Sequence, residues 1–90
     1  MELNETVDLM LSSDYKERFK AEFWQTKIRY DKLGALLKKY GEGTLEFEPT
    51  CPIKVLEQQF SYMGLYLLVL RSRAAMEGID LEEYKYGRYA

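Results

Sequence analysis

The chain is expected to be all-α: two long antiparallel helices forming a hairpin, assembled with further copies into an oligomeric helical bundle. Apolar residues recur every three or four positions through two long stretches, the period of a helix with one buried face. Only two prolines and six glycines fall among the 90 residues, so both stretches run without breaks. Each stretch also carries apolar residues on its other side, more than one isolated hairpin covers. At 47% hydrophobic and 31% charged, the chain is too apolar for disorder and makes one domain over 1–90.

A short N-terminal extension, 1–13, precedes the first helix. Helix 1 is expected over about 15–40, with Asp14 as N-cap and Glu17 in capping-box relation. Its stripe is Phe19, Phe23, Thr26, Tyr30, Leu33, Leu37 and Tyr40, with Tyr15 one step earlier. Lys38 and Lys39 oppose the C-terminal dipole, and Gly41 is expected to supply the left-handed cap. The loop, 41–51, contains Gly43 and Pro49 and ends the helix; Leu45 and Phe47 are expected to fold back on the hairpin. Helix 2 is expected over about 52–77, with Thr50 or Cys51 as N-cap and Pro52 in the first turn. Leu56, Phe60, Met63, Leu67, Leu70 and Ala74 form its stripe, and Gly78 before Ile79 reads as a Schellman stop. Asp80 with Glu83 is a candidate for one more turn, and the remainder of 78–90 is a tyrosine-rich tail.

The leftover apolar residues carry the expectation of assembly. At 100° per residue, Ala21, Trp24, Ile28 and Ala35 fall on the back of helix 1, and Leu65, Leu68 and Val69 lie off the stripe of helix 2. Trp24, Ile28, Leu65 and Val69 are therefore the expected oligomer contacts, with Gly64 admitting a close backbone. The alternative is cover in cis, by Val7, Leu9, Met10 and Leu11 or by the tail.

Composition narrows the chemistry. There is no histidine, which removes the commonest general base and metal ligand. No CxxC, P-loop or GxGxxG occurs, and the carboxylates Glu42, Glu46 and Glu48 sit on a loop, so neither catalysis nor a bound metal or cofactor is expected. One cysteine, Cys51, excludes an internal disulfide and suits a reducing compartment. The acidic opening stretch lacks the basic start of a secretory signal, and the longest apolar run, 63–70, falls short of the roughly 20 residues that span a bilayer. An intracellular protein with no membrane partner is expected. A net charge of -2 disfavours duplex nucleic acid. Charge is nevertheless uneven: residues 15–40 hold eight basic and three acidic groups. Thirteen aromatic side chains are interleaved with them. Rings that stack on bases and cations that hold phosphates permit a compact anionic ligand in a cleft between subunits.

A further pattern runs through both stretches: Glu17, Arg18, Phe19 and Glu22; Lys32, Leu33, Leu36 and Leu37; then Val55, Leu56, Gln59, Met63, Tyr66, Leu70 and Arg73. Over residues 15–76 it resembles small bacteriophage proteins carrying the helical-hairpin domain shared by anti-CBASS and anti-Thoeris sponges. The resemblance implies a non-enzymatic phage protein in the host cytoplasm that sequesters a cyclic nucleotide signalling molecule without cleaving it. It further implies a homo-oligomer, dimer or hexamer, with pockets at subunit junctions. Tyr15, Arg18, Glu22, Gln59, Tyr66 and Arg73 match the polar positions of the pattern and are the implied ligand-binding residues. Arg18 and Arg73 would pair with phosphates, Tyr15 and Tyr66 with bases, while Glu22 and Gln59 contact ligand or orient the arginines. Thr26 and Tyr30 depart from the aliphatic residues usual there. The other expectation is an oligomeric protein–protein module that inhibits a host protein through its aromatic surface.

Overall fold

The computed structural model describes residues 1–83. A 3₁₀ turn, Leu3–Glu5, leads into a short helix α1, Thr6–Met10, followed by α2, Tyr15–Glu42, and α3, Ile53–Glu77. Among the described residues the regular structure is all helical. None of these helices is long and apolar enough to cross a membrane.

Local chemistry sets the ends of the long helices. The Asp14 carboxylate accepts from the Lys16 backbone N–H at 2.9 Å, satisfying one of the donors left open at the start of α2. The far end corrects the expected cap. Gly41 continues the helix, and Gly43, at φ 75°, takes the left-handed position while the Thr44 N–H reaches back to the Lys39 carbonyl at 2.9 Å. Pro52 stands at the N-cap of α3, without a side-chain cap bond, in place of Thr50 or Cys51. At the C-terminus of α3 Gly78 has φ 69°, and the Ile79 N–H donates to the Ala74 carbonyl at 2.8 Å, the Schellman geometry.

α2 and α3 pack side by side in opposite directions: Tyr15 meets Glu77 at one end, and Tyr30 stacks on Phe60 midway, ring centroids 4.3 Å apart and 5° from parallel. Glycines sit opposite both rings. A Cβ on Gly34 would lie 2.9 Å from Phe60 Cε1, and one on Gly64 would lie 3.3 Å from the Tyr30 ring. Gly64 thus accommodates an aromatic side chain, not the neighbouring backbone the sequence suggested.

The core gathers at the end of the pair away from the 43–52 loop. Phe19, Phe23, Leu67, Leu70 and Ala74 are buried there, joined by Trp24, Ile79 and Leu81. Two segments close it. On one side α1 packs on α2, where buried Thr6 accepts from Gln25 Nε2 at 3.0 Å. On the other, residues 79–83 fold back as a strap. The Trp24 indole N–H donates to the Leu81 carbonyl at 2.9 Å; Arg71 makes a forked pair with Glu83, and Lys20 meets Glu82 at 3.3 Å. Glu82 adopts φ 60°, helped by its N–H bonding Asp80. Towards the loop, where no third segment among the described residues covers the pair, Leu33, Leu37, Leu56 and Met63 are only half-buried. Leu45 is half-buried, while Phe47 is largely exposed, contrary to the expected fold-back.

The strap corrects one assignment. Trp24 is 3% exposed and covered within its own chain, so it is not an open subunit contact. A helical projection reports which side a residue takes; it is silent on what a distant segment lays over that side. Ile28 is partly buried against the same core. Leu65 and Val69, together with Leu68, remain more than half exposed on α3. The last seven residues of the tyrosine-rich tail lie outside the described residues.

Candidate functional site

The end of the α2–α3 pair away from the 43–52 loop brings together side chains from the start of one helix and the end of the other. Arg73 lies on α3 and Tyr15 on the first turn of α2. The Arg73 Nη2 donates to the Tyr15 hydroxyl at 2.8 Å, and that hydroxyl donates in turn to Glu77 Oε1 at 2.8 Å. Arg73 Nε reaches Glu77 Oε2 at 3.4 Å, so the carboxylate spans both donors. Below them the Arg73 guanidinium sits over the Phe19 ring, 4.9 Å from its centroid, and Tyr15 meets the same ring edge-on at 6.2 Å. Phe19 is itself buried, so it forms a fixed floor. Arg73 and Tyr15 stay 43% and 47% exposed.

The Arg73 guanidinium is charged at any ordinary pH, and its surroundings move its pKa further up. Partial loss of water lowers its pKa, while Tyr15 and the Glu77 carboxylate raise it by more; the net movement is above the ordinary arginine value. Lys16 adds a second cation nearby, its Nζ 3.4 Å from the Gly78 carbonyl at the C-terminus of α3. The end of the pair thus carries a partly engaged guanidinium fork, a phenol and an ammonium at its surface. Such a set recognises phosphoryl or carboxylate oxygens.

The six sequence-derived ligand candidates do not all meet. Tyr15 and Arg73 do. Arg18 turns away, donating from Nη1 to the Ser12 carbonyl at 2.9 Å and bracing the α1–α2 linker. Glu22 is exposed on α2. Gln59 and Tyr66 line an open groove of about 460 Å³ on α3 with Val55, Gln58, Tyr62 and Met63. Gln59, Tyr66 and Arg73 are spaced by sevens and drift only about 20° per step, so the groove lies on the same side of α3 as the cation. Sequence reasoning missed Glu77 as a partner in the cluster and treated Phe19 as core alone. The four-residue spacing from Arg73 to Glu77 was the available signal.

Among the described residues no group of three or more Cys, Asp or Glu side chains is placed to hold a metal ion. Cys51 is a free, partly buried thiol. Against known proteins, the family model described as Sequestin matches residues 13–76, which include Tyr15, Arg73 and the α3 groove and end one residue before Glu77. No curated protein matches the chain, and no solved structure does.

Proposed function

The chain belongs to the Sequestin family, and from that premise we propose that it is a phage anti-defence protein that captures a cyclic nucleotide immune signal and holds it uncleaved. The observation that carries this reading is the Arg73 fork, bonded to the Tyr15 hydroxyl and seated on Phe19, with both polar side chains about half exposed to solvent. A cation held by a ring and a phenol is already oriented for a phosphoryl group, so capture loses little side-chain entropy. Tyr66 and Gln59, farther along the same side of α3, are suited to a base: one by stacking, the other by hydrogen bonds. Candidate ligands are cyclic di- and trinucleotides and cyclic ADP-ribose isomers. The protein acts in the host cytoplasm and has no catalytic role.

Assembly belongs to the same proposal. Leu65, Leu68, Val69 and Tyr62 expose more than half their surface along α3. An exposed apolar row of this kind supports association of copies, as a dimer or hexamer, which would turn the open groove into a pocket between subunits. The same row favours a second reading, a module that inhibits a host protein through this face. Pull-down from host lysate separates the two, because a sponge retains no stoichiometric protein partner.

Calorimetry against the nucleotide panel tests capture. One member should bind, and heating the complex should return it chemically unchanged. Cleaved product would make the protein an enzyme, and silence across the panel would favour the protein-binding module.

A further inference from the structure

We propose that Glu77 is a built-in occupant of the anion site: its carboxylate holds the position that a ligand's phosphoryl oxygens take, and capture displaces it. This rests on the anion-capture reading of the Tyr15–Arg73 cluster.

The placement of Glu77 is the first argument. It is the last residue of α3, where unpaired carbonyls concentrate negative potential. Cations suit that end of a helix, and an acidic side chain there is disfavoured. Its i,i+4 pair with Arg73 offsets part of that cost, and the Tyr15 hydroxyl on the facing helix adds a second bond. One oxygen accepts from the Tyr15 hydroxyl and the other faces Arg73 Nε. Two oxygens on one centre, shared between a phenol and a guanidinium, are also what a phosphoryl group would offer to the same donors.

The second argument is that Arg73 has two contacts independent of it. Arg73 keeps its seat over Phe19 and its bond to Tyr15, neither of which passes through Glu77. The Glu77 side chain is 35% exposed, so it can rotate into water without uncovering core. Departure of the carboxylate removes the acid bonded to Arg73 and Tyr15 and leaves their donors to an incoming anion. Glu77 thereby sets a threshold. A weak monoanion gains too little to displace it, whereas a phosphodiester that also stacks on an aromatic ring gains more.

A positioning role and an occupant role predict opposite signs. If Glu77 served to orient Arg73, its loss would weaken capture; as an occupant, its loss strengthens it. Calorimetry on the full chain carrying Glu77→Gln or Glu77→Ala, with the panel's binding nucleotide and with inorganic pyrophosphate as probes, reads the difference. Affinity should rise about three- to tenfold in both variants, with pyrophosphate binding rising at least as much as nucleotide binding. Weaker or unchanged affinity in both variants overturns the inference. Thermal melts identify a variant that is simply unfolded, and the other variant then decides. Should no nucleotide bind the parent chain, the nucleotide reading fails by itself; pyrophosphate still reports on Glu77, and no gain in its binding overturns the inference too.

Discussion

At Arg73 the geometry asks for a fork and not merely a charge. Its guanidinium bonds Tyr15 through Nη2 while Nε faces Glu77 and the plane lies over Phe19. Lysine keeps the charge but lacks the planar donors and the stacking face. Arg73→Lys should therefore weaken nucleotide capture by about tenfold or more in calorimetry, with the melting temperature little changed. Tyr15→Phe removes the hydroxyl and leaves the ring edge on Phe19, so a smaller loss is expected. These two residues were reached in the sequence through the polar positions of the family resemblance, not through periodicity. Arg18 shared that pattern, yet its fork is engaged by the Ser12 carbonyl, a contact fixed by the turn between α1 and α2. Trp24 was read correctly as lying off the main seam and wrongly as open, since its partner carbonyl is 57 positions away in the chain.

Between the two long helices, spacing is governed by rings lying against glycines. Alanine at Gly34 gains roughly 1 kcal/mol of helix propensity, but its Cβ would meet Phe60 at 2.9 Å. That ring is stacked on Tyr30 and has little freedom to retreat. Overpacking of this kind costs about 1–3 kcal/mol, so Gly34→Ala should be net destabilising by about 1 kcal/mol in urea unfolding. Gly41→Ala meets nothing within 4 Å and should be neutral or stabilising. Gly43→Ala, forced to φ 75°, should cost about 1 kcal/mol although its surroundings are open. The long helices themselves were legible from periodicity. The two-residue error at the end of α2 arose because Gly41 and Gly43 both follow the last periodic residue. The tie is decided by the Thr44 N–H closing on Lys39, which periodicity does not encode.

Taken as a whole, the molecule resolves its excess of apolar surface in two different ways. The back of α2 is covered within the chain by the 79–83 strap, whose Ile79 and Leu81 are buried beside Trp24. The outer row of α3 is left bare. Both sides looked alike in the sequence, because an apolar residue off the main stripe signals a need for cover and says nothing of its source. Substitutions should separate them. Leu81→Ala removes buried contacts around Trp24 and should lower stability by about 2–4 kcal/mol, with tryptophan emission shifted to the red and unfolding at lower urea. Leu68→Glu places a charge on a residue that is 57% exposed in the single chain, so the fold of one copy should barely change. If copies associate through this row, a buried unpaired carboxylate at every contact forbids it, and light scattering should fall from an oligomer to the monomer mass. A parent chain already monomeric at micromolar concentration, or an oligomer untouched by Leu68→Glu, removes the α3 row from the assembly. The ligand would then have to be held by the Tyr15–Arg73 end of a single copy.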